Sequence, residues 1–295
     1  MSGEILTAAA AAEAAMETPG RIRRERIRLL LRNIPFLIGS LILIFWVVMA
    51  LAGPWIVPYG ADDTDLLNTL TPPAPDHWFG TDQFGRDVFS RVIMGSRDIL
   101  IVAPLATLLG TVVGTVLGLV TGYAKGLTDD VVSRIVDAFL ALPLLILAML
   151  VITALGISNT TVIIVIGLSF GLIVGRTVRA AVLGERDLDY VAAAHLRGEK
   201  PIYILFVEIL PNVMPPILVE TTVRLGYAIF TVASLSFLGL GIQPPSPDWG
   251  LSISQNYGLI GGGYWWTVLF YALSIGSLVV GVNLAAEGAQ AVLDA

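Results

Sequence analysis

Catalysis needs nucleophiles, bases or metal ligands brought together, and this 295-residue chain carries few of them. It has no cysteine, which removes thiolate nucleophiles, disulfides and cysteine-bound metals. Its two lysines, Lys125 and Lys200, follow an alanine and a glutamate, so the G-x-x-x-x-G-K loop that cradles a nucleotide phosphate is missing. Its two histidines, His77 and His195, are 118 positions apart, and no nucleophile constellation stands out. The sequence therefore reads as no enzyme by itself, with no cofactor of its own. Two features do invite a chemical role. Glu220 and Arg224 stand four apart in an apolar run, hence on one helical face, and ionisable groups in such a run are candidates for function. The stretch 189–212, "DYVAAAHLRGEKPIYILFVEILPN", is charged and punctuated by Gly198, Pro201 and Pro211, although long apolar runs flank it.

The elements that must position these residues are membrane spans. Hydrophobic residues make up 56% of the chain and charged ones 14%, against roughly 25% charged in soluble domains. A bilayer crossing takes about 20 apolar residues. Six runs qualify: 34–57, 99–123, 138–156, 157–175, a run within 213–241, and 265–286. The uncharged "GISNT" between the third and fourth makes them a tight hairpin, and Trp265 and Trp266 open the last run as interfacial aromatics do. Residues 1–20 read as a tail without the pattern of a secretory signal. Six arginines follow within 21–32, flush against the first run, which marks a cytoplasmic anchor rather than a nucleic-acid patch. Thirteen cations fall on that side of a six-span layout, and only Arg86, Arg91 and Arg97 on the other. The expectation is an all-α integral membrane protein with six transmembrane helices and both termini cytoplasmic. His77 and His195 then lie on opposite sides and cannot share a metal ion.

In this layout 187–211 is a cytoplasmic loop between spans four and five. Asp187 is suited to cap a short helix through Tyr190, Ala193 and Leu196, with Gly198 as the left-handed residue that ends it. Pro201 suits the first turn of a second helix ending near Pro211, and "PIYILFVEIL" is apolar enough to pack under the bundle. Most loops are shorter, with a median of about 4–6 residues, so the stretch reads as a docking surface. Gly110, Gly114, Gly118, Gly122 and Gly126 recur every four residues and imply close helix packing, against a neighbour in this chain or in a partner. Phe84, Val88, Phe89, Val92 and Ile93 form an apolar face on the outer loop and read as an interfacial helix with a structural role. Glu220 and Arg224 read as lining a translocation path or as a structural ion pair. Because 225–242 alone could span, both would sit near the cytoplasmic edge.

Ala193, Ala194, Gly198, Ile209, Leu210 and Pro211 resemble, in type and spacing, the "EAA" loop of bacterial ABC importer permeases. "HWFGTDQFGRDVFSRVIMGSR" at 77–97, "LSFLGLGIQPPSPDWG" at 235–250 and "NLAAEGAQAVLD" at 283–294 resemble the second permease subunit of the dipeptide/oligopeptide/nickel systems. The resemblance spans roughly residues 34–294, with the motifs in the family's order. It implies a type I ABC importer permease in the bacterial inner membrane. It also implies a cytoplasmic tail with a basic anchor (1–33), a first transmembrane helix (34–57), an external loop (58–98) and a five-helix core (99–295) that includes the coupling loop. Its partners would be a second permease, two ABC ATPases that bind ATP and Mg, an extracytoplasmic binding protein and lipid, with no nucleic acid. Tyr190, Ala193, Ala194, His195, Arg197, Gly198, Glu199, Lys200, Ile209 and Pro211 would form the ATPase-coupling set. The chain departs from the family at Ala192, where glutamate is usual, and at Arg197, Glu199, Lys200 and Glu208, which points to a co-adapted ATPase. A nickel complex rather than a peptide would be an alternative cargo. An ion-coupled secondary transporter is the competing class, and it calls for midplane ionisable pairs and internal repeats. A membrane-embedded enzyme would need clustered catalytic residues.

Overall fold

The computed structural model describes residues 28–124 and 126–293. The tail through residue 27, Lys125 and the last two residues lie outside the described residues, and with them four of the six arginines of the basic cluster. The described chain is helical, with one isolated bridge between Thr81 and Asp87 in place of any strand. Five helices are long and apolar enough to cross a membrane, and a sixth crossing exists if one bent pair is counted as a single span.

Helix α1, Ile34–Ile56, starts where Asn33 accepts the Phe36 N–H at 3.0 Å and a proline occupies the first turn. It lies at the rim, with little of its surface buried, and packs on the last helix through Gly39 and Gly281. Helix α2, Val88–Tyr123, is capped by Asp87, which accepts the Ser90 N–H at 2.8 Å. Its 36 residues extend about 54 Å, well beyond a hydrocarbon core of about 30 Å. The expected interfacial helix is therefore the buried start of α2. Val88, Val92 and Ile93 are core residues, and only Phe84 is exposed. No breaker stands between Asp87 and the span, and Ser90, Arg91, Ser96 and Asp98 on the way are partnered.

Those partners come from the preceding loop and from the C-terminal part of the chain. Arg91, 1% exposed, donates through Nη1 to Ala61 O at 2.7 Å and through Nη2 to Ser246 O at 3.2 Å. Asp98 accepts from the Ser246 hydroxyl, and the Trp249 indole donates to Val92 O at 2.8 Å. Trp266, expected at the membrane interface, is buried and donates to Thr81 O at 3.1 Å, while Trp265 is half exposed. The 77–97 and 235–250 segments thus form one cap over this end of the bundle.

Helices α3, Leu127–Leu140, and α4, Leu144–Leu155, replace the single third span. They meet at 90°, because Pro143 cannot donate to a continuing helix and disfavours helical geometry at Leu142. Helix α4 is 12 residues, about 18 Å, and is too short to cross alone. Gly156 and the cap Ser158 then turn the chain tightly into α5, Asn159–Glu185. Helices α2 and α5 interlock through two glycine rows, which settles the neighbour of the glycine stripe within this chain. A Cβ on Gly118 would sit 2.5 Å from Val178 Cβ and 2.7 Å from Gly175 O, and one on Gly114 would meet Val174 at 2.6 Å. Gly126, last in the expected stripe, stands outside the row with φ +83°.

After the short helix α6, Asp189–Leu196, one helix, α7, runs from Pro201 to Phe237. The expected break at Pro211 does not occur. Residues Ile204–Ile209 form a π turn, in which the Leu210 N–H reaches Leu205 O. A proline ring presses on the carbonyl four residues earlier, and the wider turn before Pro211 relieves that contact. Helix α8, Trp249–Asn256, and α9, Trp266–Leu293, complete the chain.

Candidate coupling surface and membrane-embedded pair

Helix α6 ends in a two-bond glycine cap. Gly198, at φ +75°, donates to His195 O at 3.0 Å, and the Glu199 N–H reaches Ala194 O at 3.2 Å. Lys200 is the N-cap position of α7, and Pro201 occupies its first turn. The N-cap of α6 is Leu188, which gives no side-chain bond, so Asp187 does not cap it; the Asp187 carboxylate lies 3.6 Å from Arg186 Nε. The buried face of α6 is Val191 and Ala194, while Tyr190 is half-buried and Ala193 and Leu196 are exposed. With Ile204, Leu205 and Ile209 of the π turn, these pack against Leu119 of α2 and Val174, Val178 and Val182 of α5. The apolar second half of the motif does pack under the bundle.

This geometry divides the expected coupling set. Ala194 and Ile209 are anchors, fully buried. Tyr190 is half-buried and donates to Glu185 Oε2 at 2.8 Å; burial first, and then this carboxylate, push its phenol up to about 12. His195 is exposed, stacks on Tyr123 with ring centroids 6.1 Å apart, and brings Nε2 to 3.3 Å from the Tyr123 hydroxyl. Arg197 donates to Glu208 Oε1 at 2.6 Å and approaches Glu199 at 3.8 Å. Three of the departures from the family pattern therefore contact one another across the turn. Ala193, Gly198, Lys200 and Pro211 face outward. Two outward residues were missed as surface residues: Leu196 is 90% exposed and Ile202 66%. Ile202 lies in the apolar stretch expected to pack under the bundle, and the phase of the buried face turns it outward.

Glu220 and Arg224 join as expected, with Arg224 Nε donating to Glu220 Oε1 at 2.6 Å. They sit level with the middle of the long helices packed around them rather than at their ends. Thr221 lies 3.0 Å from Thr111, near the middle of the spanning part of α2, and the Arg224 guanidinium lies 5.9 Å from the ring of Phe170 in mid-α5. Because α7 enters from Pro201, the crossing is not confined to 225–242. Arg179 grips Asp129 by two bonds of 2.7 Å, and Arg176 lies 3.7 Å from Asp137, so α3 is pinned to the motif end of α5. Among the described residues, no group of three or more histidine, cysteine or acidic side chains is placed to hold a metal.

Residues 114–295 match the family described as binding-protein-dependent transport system inner membrane component, and residues 23–73 match the N-terminal TM domain of oligopeptide transport permease C. A dipeptide transport system permease protein, DppC, of Alkalihalophilus pseudofirmus is 38% identical over 92% of this chain and 89% of its own. The oligopeptide transport system permease protein OppC of Bacillus subtilis is 36% identical over 88% of this chain and 84% of its own. Among solved structures, a chain of the MetNI methionine ABC transporter in inward facing conformations superposes with a TM-score of 0.57. It is 20% identical, and the match covers 68% of this chain and 96% of that one, so it shows the shared type I importer permease fold. The chain is a multi-pass inner-membrane protein, and it belongs to the ABC importer permeases of the dipeptide and oligopeptide transport family.

Proposed function

We propose that this chain forms half of the translocation path for dipeptides or oligopeptides handed over by an extracytoplasmic binding protein. A second, homologous permease forms the other half. Two cytoplasmic ATPases, which bind ATP and Mg, dock on the motif of residues 187–211, and the motif end of the bundle faces the cytoplasm. One observation carries the reading: a single helix, α7, begins at the exposed turn and continues to the mid-membrane pair at Glu220 and Arg224. From Pro201 to Arg224 is about 35 Å along the axis, so a displacement of the turn is passed toward the centre of the membrane along one continuous helix. The glycine-interlocked α2 and α5, on which the motif is seated, move with it.

In the resulting cycle, closure of the ATPases on ATP draws the two motifs together and opens the path outward. Hydrolysis reverses the motion. This chain supplies binding walls and a lever, while the chemistry belongs to the ATPases. The purified chain alone is expected to hydrolyse no ATP, with hydrolysis and peptide uptake appearing when the second permease, the ATPases and the binding protein are added in proteoliposomes. Robust hydrolysis by the isolated chain, with contaminants excluded, would sink this reading.

A further inference from the structure

Three sides of α7 are occupied by α2, α5 and α9. Its remaining side carries Glu220, Val223, Arg224, Tyr227 and Phe230 in one stripe, with Tyr227 56% and Phe230 60% exposed. The ion pair is reachable from this stripe, since the Glu220 and Arg224 side chains keep 16% and 18% of their surface. Arg224 uses only Nε toward Glu220; its Nη groups have no partner among the described residues. The guanidinium is held between aromatic faces, 5.9 Å from the Phe170 centroid and 5.2 Å from that of Tyr227. An ion pair in an apolar medium gives little stability over an apolar pair of the same shape. Charges inside a span mark substrate routes when they face a path.

We propose that Arg224 is the anion-binding residue of the path and takes the C-terminal carboxylate of the peptide in transit, with Glu220 as the counter-ion that it exchanges. This rests on the peptide-import reading above. A guanidinium fork with free Nη donors fits a planar carboxylate in two parallel bonds. Glu220 keeps the arginine neutralised while the path is empty, so the incoming carboxylate replaces one partner by another instead of meeting a bare buried charge. Tyr227 and Phe230 supply apolar contact without selecting among side chains. The C-terminus is the feature that peptides of different sequence share, and it is what one fixed cation can recognise.

The test uses the complete importer in proteoliposomes, with radiolabelled trialanine and its C-terminal amide, each at a concentration that saturates the binding protein. The ratio of turnovers then reads the membrane step. The wild type is expected to move the acid faster. Arg224→Gln should cut turnover of the acid about tenfold or more relative to that of the amide, as loss of a charge-assisted bond predicts. Arg224→Lys should recover part of the loss, and Glu220→Gln should shift the preference further toward the acid. An acid-to-amide ratio of one in the wild type overturns the proposal, as does a ratio that Arg224→Gln leaves unchanged. If Arg224→Gln lowers both turnovers equally or releases the second permease, and Glu220→Gln leaves the ratio at its wild-type value, the pair is structural and the proposal is wrong. A wild-type importer that moves neither peptide refutes the peptide-import reading itself, and the role of Arg224 falls with it.

Discussion

Substitution of Gly198 separates backbone strain from contact with a partner. Two backbone bonds, at 3.0 and 3.2 Å, hold the turn, and both survive any side chain but proline at this position. A Cβ added here meets nothing within 4 Å, so no clash inside the chain opposes it. The intrinsic cost is the left-handed conformation alone, at φ +75° about 1–2 kcal/mol for an ordinary L-residue. Gly198→Ala and Gly198→Trp carry nearly the same strain and differ only in what they project outward from the turn. Neither is expected to prevent insertion or assembly with the second permease, because the bundle is held by the α2–α5 interlock and the two buried clusters. Gly198→Asn should be milder than Gly198→Ala, since asparagine tolerates this conformation. If the turn seats in a cleft on the ATPase, Gly198→Trp should lose ATPase co-purification and uptake, while Gly198→Ala keeps most of both. Alanine at Glu199 or Lys200 should do less, because rim charges tune association more than they anchor it. Co-purification of tagged ATPase, with thermal stability measured in parallel, decides the matter. Full association in the tryptophan variant would refute the docking argument; equal loss in the alanine and tryptophan variants would show that strain alone explains the effect.

Three further outcomes follow from the packing and the charges. Gly118→Ala should destabilise the detergent-solubilised chain by about 1–3 kcal/mol, because its Cβ falls 2.5 Å from Val178 Cβ and 2.7 Å from a backbone oxygen that cannot rotate away; Gly184→Ala on α5, with nothing within 4 Å, is the control and should be neutral. Burial first, and then its backbone bonds and neighbours, set the Asp248 carboxyl in the cap formed by the 77–97 and 235–250 segments, whose pKa is raised from 3.8 to about 6 with nearby Asp98 adding to the rise. The folded state therefore holds this proton more tightly than the unfolded chain, so its contribution is fully present below about pH 4 and is lost as pH rises through about 6. Asp248→Asn keeps an oxygen to accept the Leu251 N–H, and it should abolish a stability loss of up to about 3 kcal/mol between these limits; identical pH profiles of melting temperature would refute this. A reporter fused after Ala295 should be cytoplasmic and one inserted near Asn159 external, and finding both on one side would overturn the six-span layout.

Much of this architecture was legible in the residues because the bilayer imposes long apolar runs and the glycine and proline positions carry strong local preferences. Runs 34–57 and 265–286 became α1 and α9 within a few residues at their starts, and Gly198 took the left-handed conformation expected of it. The tight turn at "GISNT" and the resemblance to the peptide-permease family also held, although the span before the turn is split at Leu142 and Pro143. Local signals misled where a residue's environment lies far away in sequence. The apolar face of Phe84, Val88, Phe89, Val92 and Ile93, with Arg91 beside it, read as an interfacial helix, because Ala61 and Ser246, which bury Arg91, are 30 and 155 positions away from it. Pro211 suggested a helix end, yet a π turn absorbs it and packing on α2 and α5 carries the helix through. The phase of α6, the depth of the Glu220–Arg224 pair and the pairing of Arg197 with Glu208 were likewise decided only by the tertiary structure. Periodicity reports which residues share a face, whereas the neighbour that covers the face, and the level at which it does so, depend on helices packed from elsewhere in the chain.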